Sequence, residues 1–327
     1  MKEIILNFPK QFKEGLEIGK ALGFKKQKIK KILICGMGGS ALPGDLLVLF
    51  SRNLGLGEDK IFIHRDYGLP KFVNKDFLVF TISYSGNTEE TISAFKQAKK
   101  RKLKIVAISS GGELEKLAKR SKIPFAKIPF GFPPRMALGY LFSSIAKILI
   151  DIGFLPNFER EILDLEKKLL PEKLKEKGKK LAKFLFGFCP LIYSSLFYKE
   201  LARIWKIKIN ENSKMPAFSN YFPELNHNEM TGIGEADKKF RKFFKVLILR
   251  DKKDFPRNQK RMEILSQIFK EKEIENTFVD LEGKTIFEKV FSNIILADWV
   301  SFYLAKFQKI DPIPVKLVEE FKKRMKK

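Results

Sequence analysis

Histidine and cysteine are nearly missing from this chain, with two of each among 327 residues. So few thiols exclude a disulfide-stapled scaffold, and no C-x-x-C pair or His/Cys cluster offers a metal-ligand set. No metal and no cofactor is expected. Cys35 ends an apolar run and Cys189 begins one, so both read as small buried hydrophobes, and their scarcity fits a reducing cytoplasm. Long apolar runs are also lacking. The longest, Met136–Ile150, contains Lys147 and falls short of the roughly 20 residues of a membrane span, so it reads as a buried helix. Met1–Phe24 is mixed and charged throughout, and no signal peptide or membrane attachment is expected from it.

Acidic residues are the other shortage. Asp and Glu number 38 against 64 Lys and Arg, a net charge of +26. Such a balance raises the question of nucleic acid. The lysines, however, occur all along the chain: KKQKIKK at Lys25–Lys31, KKRKLK at Lys99–Lys104, KKRMKK at the end. No basic segment with interleaved aromatics and no nucleic-acid motif stands out, so nucleic acid is not the expected partner. A positive field still favours encounter with anionic small molecules.

With 44% hydrophobic and 31% charged residues the chain is globular, and 327 residues exceed one comfortable core. Two domains are expected, 1–153 and 154–327. Met1–Gly23 reads as one leading helix. Strands follow at Lys31–Cys35, Ile61–His64, Phe77–Ile82, Lys104–Ser109 and Pro124–Ile128, alternating with helices at Ala41–Phe50, Thr88–Lys100 and Glu113–Arg120. Helical segments at Pro134–Ile152 and Phe158–Leu185 lead to a second, smaller alternation. Its strands fall at Pro190–Ser194, Lys245–Leu249 and Glu275–Val279, and its helices at Leu196–Lys206, Arg257–Phe269, Thr285–Phe307 and Pro314–Met325. Alternation at this spacing implies an α/β fold with mainly parallel sheets covered on both faces by helices.

Four segments carry chemistry. ICGMGGSALPGD (Ile34–Asp45) is a glycine-rich strand-to-helix turn ending at Ser40. It lacks the third glycine of a dinucleotide fingerprint and the lysine of a P-loop, and by itself reads equally as a tight turn. TISYSGNTEET (Thr81–Thr91) places Ser83, Ser85, Gly86 and Thr88 between a strand and a helix. Ordinary capping by Asn87 or Thr88 explains one hydroxyl; three hydroxyls and a glycine in six residues favour a phosphate at the helix N-terminus, where the dipole adds about half a positive charge. FPPRMALGY (Phe132–Tyr140) puts Arg135 in the first turn of a helix, where a cation is disfavoured; alone, it reads as solvated. The island Asn210–Gly232 holds His227 with Glu211, Glu224 and Glu229 among asparagines, the equipment of proton transfer, or else a polar surface loop. His64, at a strand end in IFIHRDYGLP, reads as structural.

Together, G-M-G-G-S, S-Y-S-G-N-T, P-P-R-x-A-L-G-Y, N-E-N-x-K-x-P and P-E-x-N-H-N-E resemble, in that order, the bifunctional phosphoglucose/phosphomannose isomerases, which consist of two sugar-isomerase (SIS) domains. The likeness covers nearly the whole chain and includes the tail DPIPVKLVEEFKKR. The S-x-S-G-x-T loop alone indicates only an SIS domain; the last two motifs are far more specific. Pro43, Met136, Ser213, Leu225 and Met230 depart from the family pattern without removing a reactive group. The resemblance implies interconversion of glucose 6-phosphate, mannose 6-phosphate and fructose 6-phosphate through a cis-enediol. It implies Glu211 as base, His227 and Lys322 in ring opening, and Arg135 against the enediolate. Ser83, Ser85 and Thr88 would hold the phosphate, with Gly39 and Ser40 against the sugar. It further implies a homodimer in which His227 comes from the other subunit. Acceptance of both epimers is attributed to room where single-activity enzymes carry a glutamine; Ile313, Pro314 and Val315 stand near that place, and Gln308 is close in sequence. Two alternatives remain open: a sugar-phosphate-sensing SIS protein without catalysis, and another SIS sugar-phosphate isomerase.

Overall fold

The structure, a computed structural model, describes residues 1–57 and 59–325; Lys326 and Lys327 of the terminal basic run lie outside the described residues. The chain forms two compact units, one of Leu6–Leu169, the other of residues 170 onward together with Met1–Ile5.

After α1 (Lys2–Asn7), the first unit runs α2 (Lys10–Lys20), β1 (Lys31–Gly36), α3 (Leu42–Asn53), β2 (Ile61–His64), β3 (Phe77–Ile82), α4 (Glu89–Lys100), β4 (Lys104–Ser109), α5 (Gly112–Arg120), β5 (Phe125–Lys127), α6 (Leu138–Asp151) and α7 (Glu159–Lys168). Its five strands are all parallel in the order β2-β1-β3-β4-β5. Every residue of β3 is buried, because helices cover both faces, and the sequence of such a strand reads as an unbroken apolar run. On one face Leu33, Cys35, Phe77, Val79 and Ile105 pack with Ala94, Phe95 and Ala98 of α4 and Leu114 of α5. α6 is buried over nearly its whole length, as the apolar run Met136–Ile150 implied.

The second unit contains α8 (Pro171–Leu185), β6 (Cys189–Ser195), α9 (Lys199–Ser213), β7 (Phe218–Phe222), α10 (Glu229–Gly234), α11 (Lys238–Arg241), β8 (Phe244–Arg250), α12 (Pro256–Glu271), β9 (Asn276–Asp280), α13 (Ile286–Phe307) and α14 (Lys316–Met325). Its four strands are parallel in the order β7-β6-β8-β9, repeating the first sheet without its last strand. α13 is long and apolar enough to cross a bilayer, but 72% of its apolar window is buried among the surrounding elements, and it is the central core helix of this unit. Buried Glu288, Lys289 and Asp298 interrupt its sequence, which hid it as the longest apolar segment.

Two expected helices are each broken in two, and one strand was not foreseen. The single leading helix is two, because Pro9 has no N–H to donate and caps the start of α2. The expected helix Phe158–Leu185 breaks at Leu169–Leu170, ahead of Pro171 at the start of α8. β7 was not foreseen: FSNYF lies inside the polar island and pairs only with β6, from Leu191↔Phe218 to Ser195↔Phe222. As an edge strand it keeps polar residues that an interior strand would not.

Asp251 at the end of β8 ties three elements together. It accepts from Lys289 of α13 at 2.6 and 2.7 Å and from the Tyr198 hydroxyl at 2.6 Å. Burial would push its carboxyl up, but Lys289, Tyr198 and the Lys253 N–H outweigh burial and hold it below its ordinary value. Lys289→Met strands a buried carboxylate and is expected to cost roughly 3–5 kcal/mol. Lys30→Met, which removes an exposed partner of Asp76, should cost about 0–1 kcal/mol. Urea unfolding of both variants measures the difference. Because the folded carboxyl is the stronger acid, the Asp251 contribution is complete above the ordinary carboxylate pKa of about 3.9 and is lost as pH falls below it.

Candidate active site

In the first sheet the chain leaves β1 toward β2 on one side and β3 toward β4 on the other, so the C-terminal ends of β1 and β3 flank a topological switch point. The glycine loop leaves β1 there, and the Ser83–Thr88 loop leaves β3. One hydrogen bond joins the loops: the Tyr84 N–H donates to Ser40 Oγ at 3.0 Å. The third segment lies directly on the first. A Cβ built on Gly39 would stand 2.5 Å from the Arg135 nitrogen and 2.8 Å from the Pro134 carbonyl carbon, so only glycine lets these two backbones meet. Gly39, Ser40, Ser83, Ser85, Thr88 and Arg135 therefore belong to one loop cluster of one unit. Read alone, Arg135 was expected to be solvated; it is 1% exposed.

The Ser83–Thr88 loop is built around its own hydroxyls. Buried Ser83 donates to Thr88 Oγ1 at 2.8 Å and accepts the Thr88 N–H at 3.3 Å. Thr88 occupies the N-cap position of α4, yet its side chain makes no capping bond. Asn87, the other candidate cap, accepts instead from the Glu113 N–H of α5 at 3.0 Å. Neither residue spends its side chain on the first turn of α4, and its N–H groups are left without a side-chain cap. Gly86 has φ +71°, and a Cβ there would fall 1.7 Å from the Gly111 carbonyl oxygen. The loop therefore passes between α4 and α5 as backbone alone.

Tyr84 is the residue that sequence reasoning missed. Its carbonyl accepts from the Ser110 N–H at 2.9 Å and the Ser110 hydroxyl at 2.7 Å. Its own hydroxyl donates to the Pro129 carbonyl at 2.8 Å and accepts the Phe132 N–H at 2.9 Å. One buried tyrosine thus joins the hydroxyl loop to the glycine loop, to the end of β4 and to the segment that leads to Arg135. Burial raises its phenol above the ordinary value, partly offset by the Phe132 N–H. Only its place inside S-Y-S-G-N-T, where a solvated loop has no need of a tyrosine, hinted at this.

In the second unit Glu211 lies in the last turn of α9, half-buried, rather than on a loop. His227 ends a 3-10 turn, Glu224–His227, and is exposed. The two other carboxylates of the island hold that turn. Asn228 donates to Glu224 at 2.7 Å. Glu229 accepts from the Tyr193 hydroxyl of β6 at 2.6 Å and from Asn220 of β7. Burial and the Glu229 carboxylate push the Tyr193 hydroxyl well above its ordinary value, so it stays protonated as a donor. Lys322 is exposed on α14. Gln308 is engaged, donating to the Ser213 carbonyl at 2.7 Å. His64 stands beside Cys35 at the edge of the first sheet, half-buried, with no hydrogen-bond partner for Nε2 among the described residues. Among the described residues, no group of three or more His, Cys, Asp or Glu side chains could hold a metal ion.

Comparison with known proteins extends the geometry. Residues 66–128 match the model of the SIS domain, and residues 174–325 match that of the bacterial phospho-glucose isomerase C-terminal SIS domain. The chain is 37% identical over 337 residues to a bifunctional phosphoglucose/phosphomannose isomerase of Caldicellulosiruptor bescii, covering 99% of this chain and 98% of that one. It is 31% identical over 226 residues to a D-glucosamine-6-phosphate 4-epimerase of Sulfolobus acidocaldarius, covering 69% and 70%. The C-terminal domain of glucosamine-fructose-6-phosphate aminotransferase from Francisella tularensis superimposes with a TM-score of 0.72 at 17% identity, covering 96% of this chain and 98% of that one, which is a likeness of fold. With two parallel α/β units, both SIS-type models matched and a relative aligned end to end, the chain belongs to the family of bifunctional phosphoglucose/phosphomannose isomerases.

Proposed function

We propose that this protein interconverts glucose 6-phosphate, mannose 6-phosphate and fructose 6-phosphate. The observation that carries the reading is the end-to-end likeness to an enzyme of that name, joined to a helix N-terminus that three hydroxyls surround and none caps. Ser83, Ser85 and Thr88, with the first-turn N–H groups of α4, take the phosphate, and Gly39 and Ser40 lie against the sugar. His227 and Lys322 move protons during ring opening. In the open-chain aldose, the Glu211 carboxylate removes the proton from C2. The C–H electron pair becomes the C1–C2 double bond, and charge collects on O1, where the Arg135 guanidinium offsets it. Return of the proton to C1, with transfer of the O2 proton to O1 as the C2 carbonyl forms, gives the ketose. C2 is planar in the enediol, so the glucose and mannose epimers share one intermediate.

The assembly is a homodimer in which His227 serves the neighbouring subunit; its exposure on a clamped turn suits that use. The protein works in the cytoplasm, in keeping with two free cysteines, Cys35 and Cys189, far apart in sequence.

Glu211→Gln is expected to lower kcat by about 10²–10⁴-fold with sugar-phosphate binding kept. Turnover close to the parent's would sink the mechanism. Ser85→Ala and Thr88→Ala each remove a hydrogen bond to a charged group, about 1.5–3 kcal/mol, and should raise KM about tenfold or more with little change in kcat. Fructose 6-phosphate formation, assayed separately from each epimer, reports both; a parallel assay with glucosamine 6-phosphate tests for the epimerase activity of the Sulfolobus relative. Glu211→Gln and His227→Ala chains, each inactive alone, should regain activity when co-expressed, since a mixed dimer holds one intact Glu211–His227 set across the interface. No recovery would place His227 in its own subunit's site.

A further inference from the structure

Helices α9 and α13 of the second unit meet through a row of buried polar groups. The Trp205 indole N–H of α9 donates to Asn293 Oδ1 of α13 at 2.9 Å. Lys208 Nζ donates to Asp298 Oδ1 at 2.6 Å, with side chains 0% and 1% exposed. Asn212 Nδ2 donates to Ser301 Oγ at 2.9 Å. Gln308 then reaches back to the Ser213 carbonyl, and Lys214 Nζ to the Asp311 carbonyl at 3.0 Å. Positions 205, 208 and 212 are three and four residues apart, so they form one stripe along α9. Their partners at 293, 298 and 301 run in the same direction along α13.

Stability does not account for this row. α13 is apolar enough that an ordinary hydrophobic seam was open to it. Burying an ammonium and a carboxylate carries a desolvation penalty that a well-packed apolar pair avoids. What such a pair supplies is register. An apolar seam tolerates a slip, whereas a slip of one residue would turn α9 by about 100° and separate the charges. Glu211 sits between the second and third rungs, in the last turn of its helix, where helices ordinarily fray for want of partners for their final carbonyls. Here the last turn is held from both sides.

We infer that Asp298, acting through Lys208 and supported by the Asn212–Ser301 rung, is a positioning residue that fixes the direction of the Glu211 carboxylate. This rests on Glu211 being the base. Both members of the ion pair are buried, so their effect reaches substrate through α9.

The test is the double variant Lys208→Met/Asp298→Leu, which keeps shape and removes both charges of the pair together. Its thermal midpoint should stay near the parent's and KM for glucose 6-phosphate should be unchanged, while kcat falls about 10–100-fold as the carboxylate loses its aim. Parent-like kcat overturns the inference. So does a fall in kcat that comes with a raised KM and a lowered thermal midpoint, since that is general destabilisation. If the double variant does not fold, Ser301→Ala removes one rung; reduced kcat at unchanged KM supports the inference, and unchanged kcat overturns it. Glu211→Gln, run alongside, separates the failures: if it retains turnover the base assignment itself falls, and if it is dead while the double variant is fully active only the positioning role falls.

Discussion

A parallel sheet covered on both faces has few places where backbone N–H groups can face a ligand. The reversal of strand order at β1 makes one, because the connections from β1 and β3 leave in opposite directions. The other features of the first unit's site follow from that opening. The glycine loop must be bare enough to lie against Pro134 and Arg135, the hydroxyl loop must pass between two helices, and Tyr84 must bind the pieces together. The second sheet has the same strand order, yet the corresponding strand ends are used differently. There β8 is followed by Asp251, closed by Lys289 and Tyr198. One topology thus carries glycine and hydroxyl loops in one half and a sealed polar tie in the other, so the fold alone does not say where a ligand binds.

The second unit spends its buried polarity on orientation. Lys208–Asp298 and Asn212–Ser301 set one helix against another, and Glu229 sets a turn against two strands. Lys208 and Asn212 lie on the helix that bears Glu211, and Glu229 lies two residues from His227, while exposed ion pairs elsewhere join side chains with little else at stake.

Much of this was legible in the sequence because parallel strands buried on both faces read as unbroken apolar runs; the interior strands β1, β3, β4 and β8 appear within a residue or so of their observed bounds. The motifs were legible because glycines and hydroxyls crowd together in the two loops that leave β1 and β3. What escaped depended on distant partners. Ser40 and Tyr84 are 44 residues apart, and Lys208 and Asp298 are 90 apart. Glu224 and Glu229 read from sequence as supporting residues of unspecified role; their hydrogen bonds to Asn228, Tyr193 and Asn220 give them the work of holding a turn. β7 escaped because an edge strand need not be apolar throughout, and Glu211 looked like a loop residue because asparagines surround it at a helix end.

The grip of Gln308 on the Ser213 carbonyl has a consequence for heat. Helix ends ordinarily open well before the body of a protein, at a small fraction of its unfolding free energy. A turn tied rung by rung to the central helix of its unit opens only when the two helices part. The end of α9 therefore shares the fate of the core, and on warming the geometry around Glu211 lasts as long as the unit itself does.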